Sequence, residues 1–476
     1  MDQINLGDKE INSVTKLIKL GKYHEALQEL KLLNKKFNHF LINWYLGHVY
    51  FKLHNYSEAE NYIKKSINLK SEDTLNLNFL GEIYLEKNQY TNAIAAFEKS
   101  LKIDRENKPT ILNLIKSNLN IGNIDECEKY LNFLLKKDPM NFSYHYSLIK
   151  INEKYLTKNL INEVQNSSDK LDFNNKIYSN LILAKINEIE KNYSNEIKHL
   201  NIAHEIYRAK IEKAFIQQYT YLTEILPKLV NQCKNFEFTT NSKLHPIFIM
   251  GLPRSGTSLV ERIITSGGNK IQSLGESDVF DKVIFANQIH NITETDNIKN
   301  FTEKVLAQYV QQGYLEENIK FTDKSISNFL QIEILYKIFP NAKFVYCYRN
   351  PTANLVGLLR SFLPNVFWSH SLKNVCVIFD QYFKKLSKIT NEKLIDLHVV
   401  ELEKLSNNSE IVSKELFKYL ELEWTPECIK TDNKNVISKT ASNLQVRKPI
   451  QKHDLSYTAD YIKIFKQMGL EYEWLI

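Results

Sequence analysis

The stretch Gly251-Leu-Pro-Arg254-Ser-Gly256-Thr-Ser258 gathers residue types that handle phosphate. Glycines let backbone approach an anion closely, and an arginine with neighbouring hydroxyls supplies donors. The stretch follows Pro246–Met250, a short apolar run that reads as a buried strand. Leu259, Val260, Ile263 and Ile264 then recur at helical spacing. Strand, glycine loop and helix start together make an anion cradle, in which backbone N–H groups and the helix dipole meet the ligand. The spacing nearly fits the triphosphate-loop pattern of Gly, four residues, Gly, Lys, Ser/Thr. Thr257 stands where the lysine belongs, and the cation is Arg254 instead. The cradle is kept without the lysine that reaches a γ-phosphate, which points to a different phosphorylated donor. Glycine is scarce here, 13 in the chain, yet five fall between Gly251 and Gly275. An ordinary strand-to-helix turn does not need them.

The elements that position this loop follow from the flanking pattern. Ala342–Tyr348 is a second buried strand and runs directly into Arg349-Asn-Pro351, while residues 394–400 give a third. A guanidinium fork such as that of Arg349 matches phosphate bidentately. Helical patterns lie between the strands, so a parallel sheet with helices on both faces is expected from His245 onward. Ligands of such sheets sit beyond the carboxyl ends of the strands, where both loops would share one crevice.

Upstream, residues 11–142 repeat with period 34. Leu46-Gly47 recurs as Leu80-Gly81 and as Leu114-Ile115, Tyr50 as Tyr84, Tyr56 as Tyr90, and Ala59 as Ala93 and Cys127. With a closing Pro139, this is the pattern of tetratricopeptide repeats, stacked helix pairs that bury their apolar faces against one another. A degenerate stretch follows, then one more unit marked by Ala184, Tyr193 and Ala203. The expected domains are repeats over 1–142, degenerate repeats and connecting helices over 143–232, and an α/β domain over 243–476 after a polar linker. The array offers a concave surface for a peptide or protein, or acts only as a scaffold.

Bulk properties narrow the classes. At 476 residues the chain exceeds one core. Its net charge of +7 suits an anionic ligand and falls short of a nucleic-acid footprint. No run of 18 apolar residues argues for a membrane span, and the first residues lack the pattern of an export signal. Cys127, Cys233, Cys347, Cys376 and Cys428 are scattered without CxxC spacing, so a reduced, cytoplasmic protein without a metal site is expected.

Four motifs, in order, resemble sulfotransferases that use 3′-phosphoadenosine-5′-phosphosulfate. PIFIMGLPRSGTSLVERII resembles their 5′-phosphosulfate loop, and FTDKSISNFLQIEILYKIFPNAKF their Asp-Lys segment. FVYCYRNPTANLVGLLRSF resembles their 3′-phosphate motif, and TASNLQVRKPI a C-terminal stretch. With repeats in front, the chain is similar to bacterial tetratricopeptide-repeat sulfotransferases, relatives of protein-tyrosine sulfotransferases. The resemblance implies a P-loop-like sulfotransferase domain that moves a sulfuryl group from that co-substrate to an acceptor hydroxyl, without a metal. The acceptor is a protein tyrosine, a glycan or a small alcohol, a large one being held by the array. Implied donor contacts are Arg254, Ser255, Gly256, Thr257, Ser258, Arg349, Gly357, Ser442 and Arg447. Lys324 matches the lysine that steadies the bridging oxygen, Glu276 the general base, and Arg254 joins them as a catalytic cation.

Departures concentrate at the 3′ end. Gly357 replaces a serine, Arg360 comes one position before the family's later arginine, and Tyr457-Thr458 replace a basic-Trp pair. Arg360 and Lys452 are candidate substitute cations. Two other readings stay open: a nucleotide kinase or triphosphatase, and a repeat adaptor with a weak or inactive nucleotide domain.

Overall fold

The computed structural model describes residues 8–71, 73–167, 171–234, 242–266, 268–286, 295–313, 319–430, 444–445 and 447–475. The chain divides into two compact units, 1–136 and 137–476.

The first unit is a row of helix hairpins: α1 (Asp8–Lys19) with α2 (Tyr23–Lys36), α3 (Phe40–Lys52) with α4 (Tyr56–Leu69), α5 (Thr74–Glu86) with α6 (Tyr90–Ile103), and α7 (Lys108–Ile121) with α8 (Ile124–Lys137). The repeated small residues are there for space. A Cβ on Gly47 would lie 2.6 Å from Ile63, and one on Gly81 2.4 Å from Phe97. The hairpin turns repeat as well: His54, Asn88 and Gly122 all take positive φ, 59°, 61° and 82°. Tyr56, Tyr90 and Phe97 are buried as the packing pattern requires.

The second unit begins with more helices: α9 (Phe142–Ile151), α10 (Lys158–Asn166), α11 (Phe173–Ile189), α12 (Tyr193–Lys210), α13 (Glu212–Thr220) and α14 (Leu226–Cys233). A π-helical turn, Tyr221–Ile225, joins the last two. Pro227 has no N–H for a carbonyl one turn back, which favours a widened turn at this point.

The sheet follows: β1 (His245–Met250), α15 (Thr257–Thr265), β2 (Ile271–Ser273), α16 (Val279–Ala286), α17 (Thr295–Gly313), β3 (Lys320–Asp323), α18 (Ile332–Ile338), β4 (Lys343–Tyr348), α19 (Pro351–Ser361), α20 (Leu372–Glu392) and β5 (Leu397–Glu401). Three helices close the fold, α21 (Leu402–Asn407), α22 (Ser409–Leu420) and α23 (Thr458–Gln467). The five strands are parallel in the order β2-β3-β1-β4-β5. The third strand starts three residues later than the sequence suggested. β2 and β3 are only 3 and 4 residues long and give no readable alternation.

Alternation in β1 and β4 divides the core. Ile247, Ile249, Val345 and Cys347 face one side, with Val260 and Ile263 of α15 and Leu416 and Phe417 of α22. Phe248, Met250, Phe344 and Tyr346 face the other, in a core that also holds Leu355, Val375 and Tyr461. That second core continues into Ile177, Leu181, Leu200, Tyr221, Leu229 and Val230, so α11 to α14 form part of its helical layer. Among the described residues, no helix is long and apolar enough to cross a membrane.

Candidate active site

The loop after β1 is held in backbone conformations that side chains resist. Gly251, Arg254 and Gly256 have φ of 149°, 73° and 99°. A Cβ on Gly251 would sit 2.6 Å from the Cys347 carbonyl oxygen, and one on Gly256 2.8 Å from Leu402. Both glycines are therefore required by contact as well as by φ. Arg254 carries strain of about 1–3 kcal/mol for a non-glycine at positive φ. The surroundings offset that strain: Asn354 Nδ2 donates to the Pro253 carbonyl at 2.6 Å, and Arg349 Nη1 donates to the Arg254 carbonyl at 3.0 Å. The Arg254 side chain donates to Gln445. α15 starts at Thr257 after its N-cap Gly256, whose carbonyl accepts from the Leu259 and Val260 N–H groups at 2.9 and 3.0 Å, so the positive end of the helix faces the loop. Ser255 is buried within the loop, and its Oγ has no hydrogen-bond partner among the described residues.

Beside this cradle lies a lysine–carboxylate group. Lys324 follows β3 directly and is buried. Its Nζ is 3.1 Å from Glu276 Oε1 and 3.9 Å from Glu261 Oε2. Burial opposes its charge, but Glu276 and Glu261 outweigh burial and hold its pKa above the usual lysine value. The Glu276 loop is tied to β3 by Leu274 N–H on the Thr322 carbonyl at 3.0 Å and Lys324 N–H on the Gly275 carbonyl at 2.9 Å. Glu276 itself is exposed, with its side chain 43% accessible. The other carboxylates are occupied. Glu261 accepts from Ser273 and Thr322, each at 2.9 Å. Asp323 accepts from the Ser277, Tyr309 and Ser325 hydroxyls at 2.7, 2.6 and 2.6 Å. Burial and then the neighbouring Asp281 push Asp278 up to about 7, a feature that its spacing in the sequence does not signal.

A cavity of about 670 Å³ lies at the carboxyl ends of β1 and β4, walled by Arg254, Arg349 and Gly357 and, opposite them, by α9, α11 and α12. Six cations and three carboxylates line it. The carboxylates are taken. Arg360 holds Glu188 at 2.9 Å and Glu196 at 2.6 Å, and donates to the Tyr461 hydroxyl at 2.8 Å. Tyr461 also donates to Glu196. Lys185 bridges Glu153 and Glu188 at 2.7 and 2.9 Å. The guanidiniums then split into two kinds. Burial and Arg349 push Arg254 down to about 10, and burial lowers Arg349. Arg360 moves the other way, because Glu196 and Glu188 outweigh its burial. Among the described residues, neither Arg254 nor Arg349 forms an ion pair with a carboxylate of the cavity. Arg360 already has its anions.

Residues 246–426 match the sequence model of the sulfotransferase family, and residues 44–73 and 84–150 match tetratricopeptide repeat models. The chain carries a sulfotransferase-family domain behind tetratricopeptide repeats. An uncharacterized protein of Aquifex aeolicus (strain VF5) is 25% identical over 314 residues, covering 59% of this chain and 39% of that relative's length. The sulfotransferase domain of the Synechococcus PCC 7002 olefin synthase is 15% identical, covering 50% of this chain and 100% of its own, with a TM-score of 0.31. A tetratricopeptide repeat protein of Parabacteroides merdae is 18% identical, covering 42% of this chain and 75% of its own, also with a TM-score of 0.31.

Within the sulfotransferase-family domain, the residues expected from sequence fall into two groups. Glu276 and Lys324 meet at the ends of β2 and β3, next to the cradle of Arg254 to Ser258. Arg349, just before α19, folds back on Gly357 in the middle of that helix, where a Cβ on Gly357 would lie 3.0 Å from Arg349 Nη1 and 3.7 Å from Arg254 Cβ. Asn350 caps that helix by accepting from Ala353 N–H at 2.9 Å. Arg447 lies between Gln445 and Lys448, which both line the cavity. Ser442 lies outside the described residues. Arg360, one of the two candidate substitute cations, lines the cavity while its guanidinium holds Glu196 and Glu188. Asn354 and Gln445 lie inside two of the quoted motifs, but reading the sequence did not single them out as the residues that fasten the loop.

Proposed function

We propose that this protein transfers a sulfuryl group from 3′-phosphoadenosine-5′-phosphosulfate to an acceptor hydroxyl. The observation that carries the reading is the Lys324–Glu276 pair beside a glycine loop that keeps the anion cradle and lacks the triphosphate lysine. In this reading the Arg254–Ser258 backbone and hydroxyls grip the 5′-phosphate, and Arg349 grips the 3′-phosphate. Lys324 faces the oxygen that bridges phosphorus and sulfur, where negative charge grows as the S–O bond breaks. Glu276, at the open side of the site, takes the proton from the acceptor hydroxyl as its oxygen bonds to sulfur. The bond electrons leave on the phosphate of 3′,5′-adenosine bisphosphate. Every charge formed then has an opposite charge or a donor beside it. The tetratricopeptide repeats supply a protein-binding surface, so a peptide, a protein or a protein-borne glycan fits as acceptor.

Ligand-induced stabilisation tests the donor, since a ligand that binds only the folded state raises Tm by mass action. We expect 3′,5′-adenosine bisphosphate to raise Tm clearly more than ATP with Mg²⁺. Equal or greater stabilisation by Mg-ATP would sink the reading. Gly357 and the occupied Arg360 favour one competitor, a nucleotide-binding adaptor without turnover. Stabilisation by the bisphosphate together with no transfer of labelled sulfate would select it.

A further inference from the structure

The 3′ end of this site holds fewer polar groups than its sequence resemblance implies. Gly357 offers no hydroxyl, and Arg360 is committed to two carboxylates. The cavity in front of Arg349 nevertheless keeps cations that those carboxylates do not neutralise. One of them comes from outside the sulfotransferase-family match. Lys150 stands in the last turn of α9 and lines the same cavity as Arg254, Arg349 and Gly357. Among the described residues it forms no ion pair, and its one aromatic contact is a distant one, 5.8 Å to the Tyr146 ring. Its side chain is exposed to the cavity, where loss of surrounding water together with the like charge of Arg254 lowers its pKa. Among the described residues, four of the six cations lining the cavity, Arg254, Arg349, Lys150 and Lys448, are not paired with its carboxylates, and an anion with several charges relieves their mutual repulsion. The α9 segment is also fixed relative to the site, because the Tyr146 hydroxyl donates to the Arg360 carbonyl at 3.4 Å and Tyr146 packs against the same core as the sheet.

We infer that Lys150 is a donor-binding residue, reaching from the helical segment to the 3′-phosphate of the nucleotide in place of the lost serine and arginine. The inference rests on the donor reading above. A lysine suits this place, since a flexible stem carrying a compact charge can meet a phosphate that Arg349 already holds from the far side. The helical segment then does more than support the domain: it completes the nucleotide pocket and lets the site tell a 3′-phosphate from a free 3′-hydroxyl.

The test is calorimetric titration of the full chain with 3′,5′-adenosine bisphosphate and with 5′-AMP, using wild type, Lys150→Met and Lys150→Arg. Methionine keeps the apolar stem without the charge, and arginine keeps the charge. Lys150→Met should weaken the bisphosphate roughly 10–100-fold, the range for losing one charged hydrogen bond. It should leave 5′-AMP unchanged, and Lys150→Arg should restore most of the loss. Unliganded Lys150→Met should melt no lower than wild type, because the change removes a repelled charge. Should Lys150→Met weaken neither ligand, or both alike, Lys150 is not at the 3′-phosphate and the inference is overturned while the donor reading stands. Should wild type bind neither nucleotide, the donor reading itself fails and takes this inference with it.

Discussion

Glu276 and Lys324 sit 3.1 Å apart, one exposed and the other buried. That asymmetry matches the division of labour proposed for them. A base must reach an acceptor arriving from solvent, and a cation that stabilises a leaving oxygen works best away from water. Glu261, the other carboxylate near Lys324, is engaged by two hydroxyls, and Asp323 by three. Only Glu276, of these three, combines exposure with contact to the lysine. Glu276→Gln keeps the shape and loses the base. It should lower turnover in a labelled-sulfate assay by ~10²–10⁴-fold while 3′,5′-adenosine bisphosphate binds as before. Near-normal turnover would return Glu276 to a structural role as the partner of Lys324.

At the scale of elements, α19 joins the helical layer to the proposed nucleotide site. It carries Gly357 against Arg349 on one face and Arg360 on the next turn. Arg360 ties α19 to Glu188 of α11, Glu196 of α12 and Tyr461 of α23. Glu196 is 1% exposed and has the Arg360 guanidinium as its charged partner. Breaking such a pair from one side strands a charge and costs about 3–5 kcal/mol, whereas replacing both partners by apolar groups costs far less. Arg360→Leu strands the buried Glu196 and should therefore destabilise strongly, and Glu196→Leu with Arg360→Leu should recover much of the loss. Urea unfolding followed by tryptophan fluorescence reports this unit well, since Trp368, Trp424 and Trp474 lie in it and only Trp44 lies outside. A double variant as unstable as the single would show that packing around Arg360, not its charge, holds α19.

At the scale of the molecule, the compact unit that holds the sheet begins at residue 137. Tyr221, Leu229, Val230 and Cys233 share a core with Phe248, Met250 and Tyr346. Tyr221 also donates to Asp281 at 2.6 Å, and His204 Nε2 bonds the Leu359 carbonyl at 2.9 Å. A fragment of residues 137–476 should fold cooperatively and bind 3′,5′-adenosine bisphosphate like the full chain. A fragment of residues 243–476 exposes the apolar side of that core and loses Lys150, so it should melt without a cooperative transition or aggregate. Calorimetric melting of both fragments decides the matter. A cooperative, nucleotide-binding 243–476 fragment would make the helical layer dispensable.

The sequence by itself determined what depends on neighbours along the chain. Gly251 and Gly256 mark the cradle because φ and close contact forbid a side chain there. β1 and β4 show in their apolar runs, and the period of 34 shows in Gly47 and Gly81, Tyr56 and Tyr90, and Ala59 and Ala93. Each of these is set by local sterics, so it is written where it acts. Tertiary structure decided what depends on partners far away. The strand order brings Glu276 to Lys324 across β2 and β3, two strands too short to show a pattern. Arg360 stands close in sequence to a phosphate-binding position, but Glu188 and Glu196, more than a hundred residues earlier, claim it for the fold. Lys150 reads as one more surface lysine until the packing of α9 sets it at the same cavity as Arg254. Charge acts through space, and only the fold fixes those distances.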